Sequence, residues 1–212
     1  EDYPVNFDEN LLRQYYLKTN YFIASGMQYT VLSDSVAYLR YSSFSTTPGS
    51  TNLDYVLSGL KYCRGLIIDI RNNGGGSLTN VPQIANRFAT EKTCYGYIMH
   101  KTGRGHDDFS SPEPIYLEPQ TNRISWDASI QPVVVLTNRH TFSAANNFVQ
   151  AMRALAETKT QDKKGQWNDK MIVTIGDKSG GGGGMPFETV LPNGWILRFS
   201  ACPILNHKKQ ST

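Results

Sequence analysis

Gly65-Leu66-Ile67-Ile68-Asp69-Ile70-Arg71-Asn72-Asn73-Gly74-Gly75-Gly76-Ser77 is the stretch that decides the fold. Its first half is a continuous apolar run with one acid near the end. Such a run reads as a strand buried on both faces, as in parallel sheets. Its glycine-rich second half leads into a helix that carries Val81, Ile84, Ala85 and Phe88 on one face. The same grammar returns downstream. Residues 132–138 form a buried strand, and a helix follows with Ala145, Phe148, Val149 and Met152 inward. Residues 171–177 form a third buried strand. Strand–helix–strand order with apolar strands predicts an α/β fold with parallel pairing. Upstream, residues 27–31 and 36–41 read as strands, and Thr51 or Asn52 can cap a helix bearing Leu53, Val56, Leu57 and Leu60. Residues 95–99 read as a strand, and 115–117 as a short one within a long polar connection, 101–131. Residues 186–200 alternate on either side of Asn193-Gly194, which predicts an antiparallel hairpin with a two-residue turn closing the core.

At 212 residues the chain is long enough to bury one substantial core, and one domain is the expectation. Aromatics at 11% exclude a disordered composition, and the many Gly, Pro, Ser, Thr and Asn exclude a coiled coil or helix bundle. The net charge of +3 and the scattered Lys and Arg give no basis for nucleic-acid binding. The adjacent pairs Lys163-Lys164 and Lys208-Lys209 read as solvated loops. No stretch approaches the roughly 18 apolar residues of a membrane helix. The acidic, polar start of the chain is not a signal peptide, although a leader could have been removed. Cys63, Cys94 and Cys202 lack metal-ligand spacing and are odd in number, so free thiols are expected.

In open α/β sheets, chemistry gathers past the carboxyl ends of the strands. Three loops lie there: 71–77, 138–146 and 176–184. Ser143 falls where the second strand turns into its helix. A serine at such a turn presents its hydroxyl near the positive end of a helix dipole, which favours a developing alkoxide or oxyanion. The logic is that of a nucleophile elbow, although G-x-S-x-G is absent. A serine there also serves as a plain N-cap, and the residues alone leave both readings open. Three glycines in a row let a backbone amide meet a ligand with no Cβ in the way, as an oxyanion hole requires. A tight turn needs one or two, and the third is left over. The run 180–184 lacks phosphate-loop spacing, because Lys178 precedes the glycines. It reads equally as a connector or as backbone that a peptide approaches. Bases are scarce. His140 lies three residues before Ser143, and His106 has Asp107 and Asp108 beside it. Those acids either orient an imidazole or belong to a surface loop. His100 and His207 read as structural or solvated. Lys178 is a further candidate, since a buried lysine can act with serine.

Residues 65–77, 132–148, 176–187 and 191–201 together resemble the serine peptidases related to C-terminal processing proteases, the tricorn core and the interphotoreceptor retinoid-binding modules. The likeness is greatest to secreted or lipoprotein members from Bacteroidetes, and it covers roughly residues 35–203. It implies a ClpP/crotonase-like spiral core. It implies Ser143 as nucleophile and the Ala144 and Gly75 amides as oxyanion donors; the glycine runs themselves make Gly74, Gly76, Gly181 and Gly182 the expected substrate-binding backbone. The resemblance also implies a peptide or unfolded-protein substrate and an extracytoplasmic place. Membrane contact is expected only through a lipid anchor outside this chain, and neither cofactor nor metal is expected.

Processing proteases carry a lysine in G-E-x-T-x-G-K-G. Here Gly182 stands at that position and Lys178 is out of register. The expected base is therefore a histidine, either His106 or one from outside the chain. No L-x-D-G-H-type segment, PDZ insertion or G-I-x-P-D ending occurs. The expectation is a peptidase core over residues 35–212, with residues 1–34 as a cap or linker of the same domain, and with the family's upstream cap and C-terminal tail absent. Two rival readings use the same scaffold. One is a non-catalytic ligand- or peptide-binding module. The other is a crotonase-like acyl-CoA enzyme, for which Glu91, Glu113 and Glu118 stand in unhelpful contexts.

Overall fold

The computed structural model describes residues 6–161 and 164–211. Residues 1–5 of the expected cap segment, and Lys163, lie outside them. In chain order, helix α1 (Glu9–Leu12) and a π-helical turn (Arg13–Leu17) precede strands β1 (Phe22–Ala24), β2 (Met27–Val31) and β3 (Ala37–Tyr41). Helix α2 (Ser50–Leu60), strand β4 (Leu66–Asp69), helix α3 (Asn80–Ala85) and a 3-10 turn (Asn86–Phe88) follow. Then come β5 (Thr93–Ile98), β6 (Glu113–Leu117), β7 (Val133–Thr137) and helix α4 (Ala144–Ala156). The chain continues with β8 (Lys159–Gln161), β9 (Trp167–Asp169), β10 (Ile172–Gly176), β11 (Gly184–Val190) and β12 (Ile196–Asn206).

The main sheet has the order β1-β2-β3-β4-β7-β10. Strands β3, β4, β7 and β10 run parallel, in the register Ala37↔Leu66, Leu66↔Val133 and Ile172↔Val133. All three loops expected to carry chemistry therefore leave the same end of one sheet. Period-two alternation sorts the side chains. Leu39, Leu66, Ile68, Val133 and Val135 face the helices and are buried with Leu57, Val81, Ile84, Phe148 and Met152. On the other face Tyr38 packs with Phe7, Leu12 and Leu17 from the N-terminal segment, against Ile67. A second, antiparallel sheet has the order β11-β12-β5-β6. β12 serves two partners there: its first part pairs with β11, and residues 204–206 pair with β5.

Three local expectations are corrected. β10 is not a fully buried strand, for Val173 and Ile175 are 51% and 53% exposed. It is the sheet's last strand, and the N-terminal cluster that covers Tyr38 does not extend to it. α2 begins after Gly49 with no side-chain cap. Asn52 instead donates to Ser25 Oγ. The hairpin turn has three residues rather than two. Leu191 N donates to Trp195 O (2.7 Å) and Gly194 N to Leu191 O (2.8 Å). Pro192 and Asn193 form the turn and Gly194 takes the left-handed position at φ 83°, the usual three-residue alternative.

Candidate active site

The nucleophile loop starts at the end of β7. Thr141 N donates to Asn138 O (2.9 Å), which folds the loop back on itself. Thr141 Oγ1 donates to Ile70 O at the end of β4 (3.0 Å). Two bonds then fix the turn: Phe142 N to Asn73 O (2.9 Å) and Ser143 N to Gly181 O (2.8 Å). Ser143 is left at φ 56°, ψ −125°, immediately before α4, and its side chain caps no amide. The plain N-cap role is therefore not the one the side chain performs. Ser143 Oγ makes no hydrogen bond to another described residue, and the serine is half-buried in a cleft of about 760 Å³. This is strained backbone, of the kind that persists where its surroundings over-determine it.

The glycine loop is built around the same turn. A Cβ on Gly75 would lie 2.7 Å from Ser143 Cβ and 2.8 Å from Phe142 O. A Cβ on Gly76 would lie 2.2 Å from Ser45 N, where the loop runs against residues 44–45. Gly74 meets nothing within 4 Å and lines the cleft. Two of the three glycines are thus explained by close packing, and the leftover one faces the cleft. The loop amides differ. Gly75 N donates to Asn73 Oδ1 (2.9 Å), so this expected oxyanion donor is already engaged. Among the described residues no acceptor meets the Gly74, Gly76 or Ala144 amides. Ala144 opens α4, where the first amides lack intrahelical partners and the helix dipole is positive.

Gly181 and Gly182 come to the same place from the third loop. Gly181 pairs with Phe142 as an isolated parallel bridge. A Cβ on Gly182 would collide with the Phe142 ring at 2.2 Å. Ser143, Gly74, Gly76 and Gly182 line one cleft. Arg198 of β12 also lines it, and was not anticipated.

Among the described residues none of the base candidates hydrogen-bonds to Ser143. His106 is almost fully exposed, pairs with Asp107 at 2.7 Å and does not line the cleft. His100 Nδ1 lies 3.5 Å from Cys202 Sγ, and His207 Nε2 lies 3.1 Å from Glu157 Oε2. His140 lines an adjoining depression with Asn72, Gly74, Arg139 and Phe142. Lys178 lines a separate polar hollow with Arg153 and Ser179.

Behind the glycine loop, the buried Asp69 carboxylate takes Arg71 Nη2 (2.6 Å), Arg71 Nε (3.0 Å) and the Tyr38 hydroxyl (2.7 Å). Burial first, and then the Asp69 charge, hold the Tyr38 hydroxyl far above its ordinary pKa. The Phe7 ring lies 4.4 Å from both the Arg40 and Arg71 guanidinium carbons. Sequence reading missed the asparagines. Asn73 Nδ2 donates to Tyr41 O (2.7 Å), and Asn138 and Asn72 bond across the two loops. The available signal was an Asn just past each of two buried strands, a residue that also forms ordinary turns.

Comparison with known proteins gives a consistent picture. The family model described as peptidase family S41 matches residues 35–212. A crystal structure of a candidate peptidase from Parabacteroides merdae is 45% identical with a TM-score of 0.85, and the match covers 100% of this chain and 61% of that one. Mature CPAF complexed with lactacystin is 13% identical with a TM-score of 0.67, covering 87% of this chain and 47% of that one. The photosystem II D1 C-terminal processing protease is 20% identical with a TM-score of 0.56, covering 83% and 39%. The last two likenesses show a shared fold. This chain spans less than two thirds of the length of each of the three.

Proposed function

This chain belongs to peptidase family S41, and from that premise we propose that it is the core of a serine endopeptidase working through an acyl-enzyme on Ser143. The observation that carries the reading is the Ser143 turn: a strained serine with an uncapping, unbonded side chain, beside the unengaged Ala144 amide. Neither a ligand-binding module nor an acyl-CoA enzyme requires a serine held in this conformation at the helix start.

In the proposed reaction Ser143 Oγ attacks the peptide carbonyl carbon, which becomes tetrahedral, and the carbonyl oxygen becomes an oxyanion. The Ala144 amide donates to it, helped by the dipole of α4. The glycine loop supplies the second donor. The Gly75 amide reaches the oxyanion by exchanging Asn73 Oδ1 for it. Gly74, Gly76 and Gly182 offer bare backbone along which the peptide lies, whereas Gly181 lines the separate hollow with Lys178 and its carbonyl accepts Ser143 N. The serine proton passes to a histidine, which returns it to the leaving amine as the C–N bond breaks, and water then hydrolyses the acyl-enzyme and restores the serine. His106 stands outside the cleft, so we place this base in the additional chain that the longer Parabacteroides protein possesses. Substrates are peptides or unfolded proteins, met outside the cytoplasm.

A fluorophosphonate probe tests the nucleophile. The full-length protein should be labelled at Ser143, and Ser143→Ala should lose the label entirely. Equal labelling of Ser143→Ala would overturn the assignment.

A further inference from the structure

Asn138 follows the last residue of β7 and is 1% exposed. Every polar group of its side chain has a partner. Oδ1 accepts the Asn72 amide (3.0 Å). Nδ2 donates to Asn72 Oδ1 (2.6 Å) and to Asn6 Oδ1 (3.0 Å). The Asn138 main chain is tied as well, since its N–H donates to Thr141 Oγ1 (3.1 Å) and Thr141 Oγ1 donates to Ile70 O (3.0 Å). Asn138 and Asn72 thus clasp the loop after β7 to the loop after β4 by a side-chain–backbone bond and a side-chain–side-chain bond. The residue that holds the reacting groups, Asn73, comes one position after Asn72. Asn73 O accepts Phe142 N (2.9 Å), and Gly75 lies so close to the Ser143 turn that a Cβ on it would stand 2.7 Å from Ser143 Cβ.

We propose that Asn138 is a positioning residue for the Ser143 site, acting through Asn72 to fix the distance between the nucleophile turn and the glycine loop. The role rests on the serine-peptidase reading above. It follows from the leverage of the clasp. Asn72 sits at φ 57°, three residues before Gly75. A shift of the Asn72 peptide therefore moves Asn73, whose carbonyl anchors Phe142 and whose Oδ1 holds the Gly75 amide. A nonpolar residue at 138 would fill the space but leave the Asn72 N–H unpaired and the loop free to drift. Displacements of about 1 Å at a reacting centre cost on the order of a hundredfold in rate.

Two variants separate positioning from simple stability. Asn138→Asp keeps the size and the acceptor for Asn72 N, but turns a second oxygen toward Asn72 Oδ1 and Asn6 Oδ1. Asn72→Gly removes the exposed partner side chain and tolerates the positive φ, so it folds even if the Asn138 variant does not. The readouts are the fluorophosphonate labelling rate at Ser143, KM for a fluorescent casein peptide, Tm, and hydrogen exchange of the amides at 73–77 and 142–146. Each variant should slow labelling about tenfold or more, with KM within about twofold and faster exchange in both loops. The double variant should be no slower than the slower single one, because both act on one clasp. Wild-type labelling in Asn72→Gly, or losses that multiply, would overturn the inference. If the wild-type protein itself takes no label, it is the serine-peptidase reading that falls. The exchange data then decide the clasp, and unchanged exchange at Gly75 and Ala144 in Asn72→Gly would sink it.

Discussion

Ser143 holds a backbone conformation that L-residues rarely adopt, and no hydrogen bond of its own side chain offsets the strain. Ser143→Gly should therefore stabilise the fold. Relief of about 1–3 kcal/mol exceeds the roughly 0.4–1 kcal/mol of extra unfolded-chain entropy. The expected outcome is a Tm higher by a few degrees in a protein that takes no label, measured by calorimetry beside the probe assay. Gly75→Ala should do the reverse. Its Cβ would sit 2.7 Å from Ser143 Cβ at a φ of 96°, so the turn must move. Labelling should fall by about 10²–10³, the usual loss for one misplaced oxyanion donor, and Tm should fall as well. The strand-to-helix junction drew attention to Ser143 but left nucleophile and N-cap both open, and the surplus in the glycine run marked the loop, while only the family resemblance singled out Gly75 within it. Asn72, Asn73 and Asn138 were not legible. An asparagine in a loop has many uses, and the partner that gives Asn138 its meaning is 66 residues away.

At the level of elements, the apolar runs located β4, β7 and β10, and the helical periodicity located α2, α3 and α4, because burial on one or both faces leaves a local record. Position in the sheet leaves none, so an edge strand such as β10 reads like a central one. Nor does the pattern announce a buried cation. Arg87 is fully buried between α2 and the residue 124 region, bonded to Asp54, to Ile124 O (2.9 Å) and to Ser50 O (2.9 Å). Lys170, ahead of β10, is 5% exposed and donates to Phe88 O (2.8 Å). Burial pushes its pKa down to about 8. In the folded protein the charged lysine is therefore penalised, while the unfolded chain keeps its proton to the ordinary value of 10.5. Between pH 8 and about 10 the unfolded state holds more protons, so raising the pH through that window stabilises the fold, by up to about 3 kcal/mol. Lys170→Met should be more resistant to urea than wild type at pH 7, and the difference should shrink toward pH 10. A difference independent of pH would contradict the assigned titration. Above that window Tyr41 and Tyr95, which burial pushes up to about 12, act in the opposite direction.

For the whole molecule, the sequence carried the α/β class, the parallel order and the family resemblance, since each needs only local runs and their succession. It could not supply the base, because an imagined contact between His106 and Ser143 depends on where a long polar loop lies. The site itself is a junction of four distant segments. Phe44 N bonds to Gly75 O, Phe142 N to Asn73 O, and Ser143 N to Gly181 O. Such contacts close long stretches of chain and form late, since their entropy cost precedes their reward. Refolding followed by far-UV circular dichroism and by probe capture should therefore show secondary structure first and labelling only in the final phase. Label appearing with the first helical signal would contradict this order. On the proposed reading, the order has a protective effect during synthesis. A ribosome-bound or half-folded chain, with its own unfolded segments close at hand as substrate, has no assembled nucleophile with which to cut itself or its neighbours.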